Sequence, residues 1–332
     1  MKLAAILLAF ASVLSAAQQP TIENAKLQTR AFSGTLAAEI SRDGAGPYWV
    51  AWSEPIIPGQ HNDMCSWNRN GNNDDSGRTP GEPMRLEGET ALVVLVRVEN
   101  SQPGDLRVTS PDCHLDAGGV PFYWLNGVPV AESIGWLKTQ VAGHHSDTAV
   151  LAISLHQGAI ADQALDDLTA TTQPVEVRKR AAFWLGSSRG AHGVATLKRM
   201  LASDPNSDVR DRVVFALSQS KDPAGMPLVI EAARSDKDAH IRGQALFWLA
   251  QRAAAQVAKS AIQNALSNDP DSAVRERAVF ALSQLPNGEG IPALIELAKT
   301  HRDPAVQKKA MFWLGQSKDP RALDFFAQVL KP

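Results

Sequence analysis

Cysteine is scarce: two in 332 residues, too few for a disulfide-dense scaffold, a multi-cysteine zinc site or an iron–sulfur cluster. A dominant charge is missing too. Lys and Arg total 33 against 35 Asp and Glu, a net charge of −2. Such a chain has no basic excess to neutralise a phosphate backbone, which argues against general nucleic-acid binding. No run of 18 apolar residues occurs, so no membrane-spanning helix is expected. Also missing are His-Glu-x-x-His, Gly-x-Ser-x-Gly, a phosphate loop and a dinucleotide fingerprint. What is present is the composition of a folded chain, 44% hydrophobic and 20% charged, long enough for two domains.

The N-terminus carries Lys2, an apolar run from Leu3 to Leu14, and then Ser15-Ala16-Ala17. This is the layout of a signal peptide over residues 1–17, with cleavage after Ala17. The apolar run is 12 residues, and a membrane span needs about 20. The reading is therefore export across the cytoplasmic membrane, to the periplasm. In that oxidising setting Cys65 and Cys113 are expected to form a disulfide. Its closed loop of 48 positions is worth about 4 kcal/mol in the chain-entropy account.

The second half is one unit written five times. The segments VRKRAAFWLG, VRDRVVFALS, IRGQALFWLA, VRERAVFALS and VQKKAMFWLG begin at Val177, Val209, Ile241, Val274 and Val306, in steps of 32, 32, 33 and 32. Each has apolar residues at helical spacing, then a break, a second amphipathic segment such as Ile291–Lys299, and a polar turn such as Ser203–Asn206. A helical hairpin of this kind cannot bury its apolar face alone; stacked on its neighbours it can.

The unit resembles HEAT repeats of the short bacterial type, phycobilisome-lyase-like or E/Z-type, whose core reads Val-Arg-x-x-Ala-x-x-x-Leu-Gly with Asp-Pro turns. The resemblance covers about 175–332. Tetratricopeptide and ankyrin units fail on residues: Tyr48 and Tyr123 both lie outside the repeats, and Thr-Pro-Leu-His is absent. Residues 129–174 then read as capping helices and a degenerate first repeat. Some HEAT-repeat enzymes hold iron with His-Glu pairs, and this chain has no His-Glu dipeptide. No cofactor, metal ligand or catalytic residue is therefore carried over.

The resemblance also implies an Asp–Arg ladder, in which a turn carboxylate meets the guanidinium on the next outer helix. Asp204 precedes Arg210, Asp236 precedes Arg242 and Asp269 precedes Arg275, each by six residues. In the last unit His301 and Gln307 take both places; the first has Arg178 with Thr172 six residues earlier. In such stacks the second helix of each unit lines the concave side. With Val194, Leu197 and Leu201 facing inward, Arg199 points outward, and its counterparts are Glu231, Asn264, Glu296 and Gln328. That mixed, weakly acidic row suits a protein or peptide partner.

Phe recurs in every unit (Phe183, Phe215, Phe247, Phe280, Phe312), followed alternately by Trp and Ala (Trp184, Ala216, Trp248, Ala281, Trp313). Alternating large and small residues suggest neighbours sharing a volume, so the stripe is expected in the core. The other reading is an exposed ladder for an extended peptide or glycan.

From 21 to 128 the texture is β-rich, with strands at Tyr48–Trp52, Ala91–Glu99 and Val120–Leu125 among Gly and Asn turns. Asn68–Gly81 has the alternation of a calcium loop, but Pro83 stands where a bidentate Glu is needed. Asp112-x-His114-x-Asp116 and His144-His145-Ser146-Asp147 are the remaining candidate clusters. The fold class is α+β: a small β-rich domain followed by an α-solenoid. The expected function is a non-enzymatic extracytoplasmic scaffold or adaptor for a protein or peptide partner in the cell envelope. The alternative is an enzyme or metal-dependent sensor sited in the β-rich domain.

Overall fold

The computed structural model describes residues 19–57, 65 and 90–330. The signal-peptide segment and the Asn68–Gly81 loop lie outside them. Two compact units are present: residues 1–136 with 155–157, and residues 137–154 with 158–332.

The first unit contains β1 (Thr21–Glu23), β2 (Lys26–Ala31), α1 (Leu36–Ser41), β3 (Tyr48–Pro55), β4 (Ala91–Glu99), β5 (Gln102–Thr109), β6 (His114–Asp116) and β7 (Pro121–Asn126). Five strands form a mixed sheet in the order β2-β7-β3-β4-β5, and β1 pairs with β6 in a small parallel ribbon. β7 runs parallel to both β2 and β3, while β3, β4 and β5 are antiparallel. Trp49, Ala51, Val93, Leu95, Phe122 and Trp124 pack on one face. Tyr48, Val50, Trp52, Leu92, Val94, Val96 and Val98 are buried on the other. Burial on both faces explains why ALVVLVRVE is an unbroken apolar run and does not alternate. The two strands of this sheet that the sequence pattern misses are its edges, as it also misses the short β1 and β6: β2 is mostly exposed and polar, and β5 contains Pro103 and Gly104. Proline is tolerated there because an edge strand needs no ladder bond on its outer side. Cys65 and Cys113 are joined by a disulfide.

Helices follow as α2 (Val130–Gln140), α3 (Ser146–Leu155), α4 (Ala159–Leu168) and then five hairpins: α5 (Val175–Ser188) with α6 (Gly190–Ser203), α7 (Ser207–Gln219) with α8 (Gly225–Ser235), α9 (Ala239–Arg252) with α10 (Ala255–Asn268), α11 (Ser272–Ser283) with α12 (Ile291–Thr300), and α13 (Pro304–Gln316) with α14 (Pro320–Val329). Each first helix packs on the first helix of the next hairpin. The polar turns act as N-caps: Asn206, Asp238, Asp271 and Asp303 each accept a backbone N–H of the helix they open. Glycine recurs where the second helix begins against the preceding leucine carbonyl, as Gly193 against Leu185 and Gly290 against Leu282. A Cβ at either position would collide with that oxygen.

The ladder runs one unit further along than the six-residue spacing suggests. Arg178 forms a two-pronged pair with Asp204 (2.8 and 3.1 Å), and Arg242 does the same with Asp269 (2.7 and 2.8 Å). Arg210 reaches Asp236 at 3.6 Å and Asp238 at 3.3 Å, and Arg275 reaches Asp303 at 3.0 Å. Toward the Asp six residues before it, each arginine donates only to the main-chain oxygen: Arg210 to Asp204 (3.0 Å), Arg242 to Asp236 (2.9 Å), Arg275 to Asp269 (2.9 Å). Arg178 uses the Gln173 oxygen in the same way (2.6 Å), so it needs no Asp at 172. Gln307 takes the arginine's place on α13. Each ladder Asp also accepts the amide two residues on, closing its turn, and the His301 ring does this in the last turn. Burial opposes ionisation of Asp269, yet the bonds from Arg242 and the Asp271 amide hold its carboxyl below the usual range.

This pairing makes a prediction for a double-mutant cycle read by urea unfolding. Arg242→Ala and Asp269→Ala should be coupled by about 1–3 kcal/mol, because each leaves the other charge partly buried and alone. Arg242→Ala and Asp236→Ala should be nearly additive, and Gln307→Ala should cost about 0.5 kcal/mol or less. Coupling to Asp236 in place of Asp269 would restore the six-residue register.

Candidate interaction surfaces

The second helices are amphipathic, and their apolar residues pack inward: Val194, Leu197 and Met200 in α6, Val229 and Ala232 in α8, Ala258 and Ile262 in α10. Leu201 is only half-buried, because it lines a groove and does not enter the core. Arg199, Glu231, Asn264, Glu296 and Gln328 are all exposed. Arg199 is engaged within the chain by Asp166 (3.2 Å) and Thr196 (2.8 Å), and Glu296 accepts from Thr300 at 3.1 Å. Glu231 and Asn264 fall in two different grooves on the two flanks of α8. The first, of about 320 Å³, lies against α6 over Leu201, Ala202, Leu228 and Ala232. The second, of about 640 Å³, lies against α10 over Ile230, Ala233, Val257 and Ala261.

The charge at these grooves differs from the weakly acidic row read in the sequence. Lys198 and Lys237 stand at the first groove and Arg234 at the second, all exposed. None has a carboxylate partner among the described residues, whereas Asp236 is taken by Arg210. Glu231 is the acid left at the rim. The one-residue-per-helix row missed these cations because Lys198 is the residue before Arg199, Arg234 lies a turn after Glu231, and Lys237 stands beyond the end of α8.

The aromatic stripe is core only in part: Ala216 and Ala281 are buried, whereas the rings lie at the edge of the core. Phe183, Phe215, Phe247 and Phe280 are half-buried and Phe312 is 53% exposed. The buried residues of α5 are Val177, Arg178, Ala181, Ala182, Leu185, Gly186 and Ser188. At 100° per residue Phe183 lies opposite their centre. Eight rings touch in one row: Phe183 with Trp184 and Phe215, Phe215 with Trp248, Phe247 with Trp248 and Phe280, and Trp313 with Phe280 and Phe312, all at 4.7–6.1 Å between centroids.

In the first unit, Asp116 is bound by Asn24 and the Gly118 amide, which hold its carboxyl below the usual range. Among the described residues, the one group of three potential metal ligands within reach of one another is Cys65, Asp112 and Cys113, and its sulfurs are bonded to each other. Two buried features carry no signature in the residue pattern. Trp52 Nε1 donates to Ser133 Oγ (2.8 Å), which meets His156 Nε2 (2.9 Å), and all three residues are fully buried. A Ser–His pair so enclosed ties α2 and residue 156 to β3 and offers no route to a substrate. Beside Trp52 on the same face of β3, Glu54 is 2% exposed and its Oε1 has no hydrogen-bond partner. Burial pushes its carboxyl up to about 8.

That shift has a signed consequence. The unfolded chain ionises Glu54 near its ordinary 4.5, while the folded chain keeps the proton until about 8. Between these values the unfolded state binds fewer protons, so stability falls as pH rises through the window. Glu54→Gln should therefore raise the urea midpoint relative to wild type near pH 8, the gap closing below about pH 4.5. Parallel pH profiles for the two proteins would mean that Glu54 is ionised in the fold.

Comparison with known proteins places the solenoid. Residues 162–250 and 260–332 match HEAT repeats. No curated protein matches the sequence. Similar solved structures include human deoxyhypusine hydroxylase (14% identity, 61% of this chain, 91% of that one, TM-score 0.28). They also include the YibA protein of Escherichia coli (21% identity, 60% and 76%, TM-score 0.39). A third is the complex of CpcE and CpcF of phycocyanin lyase from Nostoc (18% identity, 62% and 90%, TM-score 0.31). With its recurring hairpins and its arginine–aspartate junctions, the C-terminal half of the chain is a solenoid of HEAT-like hairpins.

Proposed function

We propose that the protein is a non-enzymatic extracytoplasmic adaptor that binds a protein or peptide in the cell envelope through the second helices of its solenoid. The observation that carries this reading is the pair of adjacent grooves flanking α8, with apolar floors and polar rims. Such concave, largely apolar sites with a few directed polar groups are where side chains of a partner are buried. The unpaired Lys198, Arg234 and Lys237 favour a partner segment that brings apolar anchors and carboxylates together. Export is supported by Lys2, the apolar run to Leu14 and the small residues to Ala17, and by the Cys65–Cys113 bridge.

Crosslinking of the native envelope followed by mass spectrometry tests the reading. Partner crosslinks should concentrate on α6, α8 and α10. Arg234→Glu with Lys237→Glu should reduce recovery of that partner about tenfold. Stability should move by about 0.5 kcal/mol or less, since both side chains are exposed. Recovery unchanged by this double reversal, and also by Glu231→Lys with Glu296→Lys, would remove the second helices as the binding face.

A further inference from the structure

Six Lys and Arg residues lie on the second helices of the five hairpins. Arg199 is held by Asp166, Lys259 by Glu289 and Arg321 by Asp319, and Lys299 lies over the Phe325 ring. Lys198 and Arg234 are the two without a carboxylate or ring partner among the described residues, and each stands at one of the grooves flanking α8. The two grooves differ in charge. The first sets Glu231 and Asp236 against Lys198 and Lys237. The second, twice as large at about 640 Å³, has Arg234 as the one charge among its lining residues. An occupant of the second groove therefore meets a single unopposed cation over an apolar floor.

Along α10 the same groove carries a polar rail. Gln256, Ser260 and Asn264 line it at a spacing of four, so they fall in one row, about 6 Å apart. All three are exposed. Gln256 and Ser260 make no side-chain hydrogen bond among the described residues, and Asn264 uses only its oxygen, toward the Asn268 amide at 2.8 Å. Amide and hydroxyl side chains both donate and accept, which is what an unpaired peptide backbone needs. An extended chain turns the same edge to a neighbour every second residue, about 6.4–6.8 Å on. Three rungs spanning about 12 Å thus meet two such repeats of about 13 Å. A helical partner satisfies its backbone internally and would leave the rail unused. A sugar is gripped by aromatic faces, and no ring stands among the lining residues. Arg234 marks one end: Glu231 and Asn264 are counterparts in successive units, so Arg234, a turn after Glu231, stands at the Asn264 end of the rail.

We infer that the second groove holds an extended, acidic segment of the partner protein, lying along α10 with its backbone on Gln256, Ser260 and Asn264 and a carboxylate on Arg234. Small apolar side chains of the segment cover Ile230, Ala233, Val257 and Ala261. This rests on the reading of the second helices as the binding face, and adds to it the conformation, the charge and the seat of the segment bound.

Fluorescence anisotropy on the full chain tests this with a labelled synthetic peptide, Glu-Val-Thr-Val-Thr-Val-Glu, which has an acid at both ends and so can seat in either direction. The peptide should bind, and binding should weaken about tenfold in Arg234→Gln and about tenfold in Gln256→Ala/Ser260→Ala. These side chains are exposed, so the variants should fold as wild type does. Lys198→Gln/Lys237→Gln, at the first groove, should leave binding unchanged. Two further peptides, N-methylated at every Thr or at every Val, each block one edge of the extended chain, and one of the two should bind about tenfold more weakly. Both binding as the parent does, no detectable binding of the parent, or indifference to Arg234→Gln would overturn the assignment. So would tighter binding of polygalacturonate, or of a helical peptide of equal charge. Such a failure with envelope crosslinks still on α6, α8 and α10 would leave the adaptor reading standing; peptide binding with crosslinks elsewhere would support this groove and remove that reading.

Discussion

Each junction of the solenoid is held by an arginine that belongs to one hairpin and neutralises an aspartate of the next. The same guanidinium also donates to the main chain of its own turn, and the same aspartate closes the turn that caps the following helix. One bond therefore fixes three things together: the entry of a helix, the shape of the turn before it, and the register of one unit on another. At Arg178 and Asp204 both side chains are almost fully buried, 4% and 2% exposed, so neither charge could be left without the other. Hydrophobic burial supplies most of the stacking energy, but it is non-directional; the ladder makes successive hairpins superpose.

That superposition turns single residues into surfaces. Because Phe183, Phe215, Phe247, Phe280 and Phe312 recur at one place in a fixed register, their rings and the intervening tryptophans touch in a continuous row. Because α6, α8 and α10 are held at constant offset, the gaps between them become two grooves of similar chemistry. A solenoid of this kind has two faces by construction, one on each set of helices, and the cations without an ion pair among the described residues differ between them: Lys198, Arg234 and Lys237 on one, Arg212 and Arg277 on the other.

Much of this was legible in the residues. A 32–33-residue period with Val-Arg at its head identifies the hairpins without any structure. The direction of the aromatic stripe was not legible, because alternation of Trp and Ala describes neighbours sharing space and says nothing about whether that space faces the core. The ladder residues were legible, but their pairing was not. Asp236 is six positions before Arg242 and 26 after Arg210, and both spacings recur with the period. In the first unit the central strands were visible as apolar runs, whereas β2 and β5 were hidden because an exposed or proline-containing edge carries no hydrophobic signature. Glu54 was hidden for a related reason: one acid at the end of an apolar strand looks like a solvent-facing terminus until both faces of the sheet are seen to be covered.

The central claim is that each arginine sets the register of the unit after it. Native-state hydrogen exchange on the Arg242→Ala variant tests this most directly, since it resolves stability helix by helix. The account predicts that amide protection falls at α9, at the Asp269 turn and in α11, while α5 and α7, joined by Arg178 and Asp204, keep theirs. Protection lost at the Asp236 turn with the Asp269 turn unaffected, or lost evenly through all five hairpins, would contradict it.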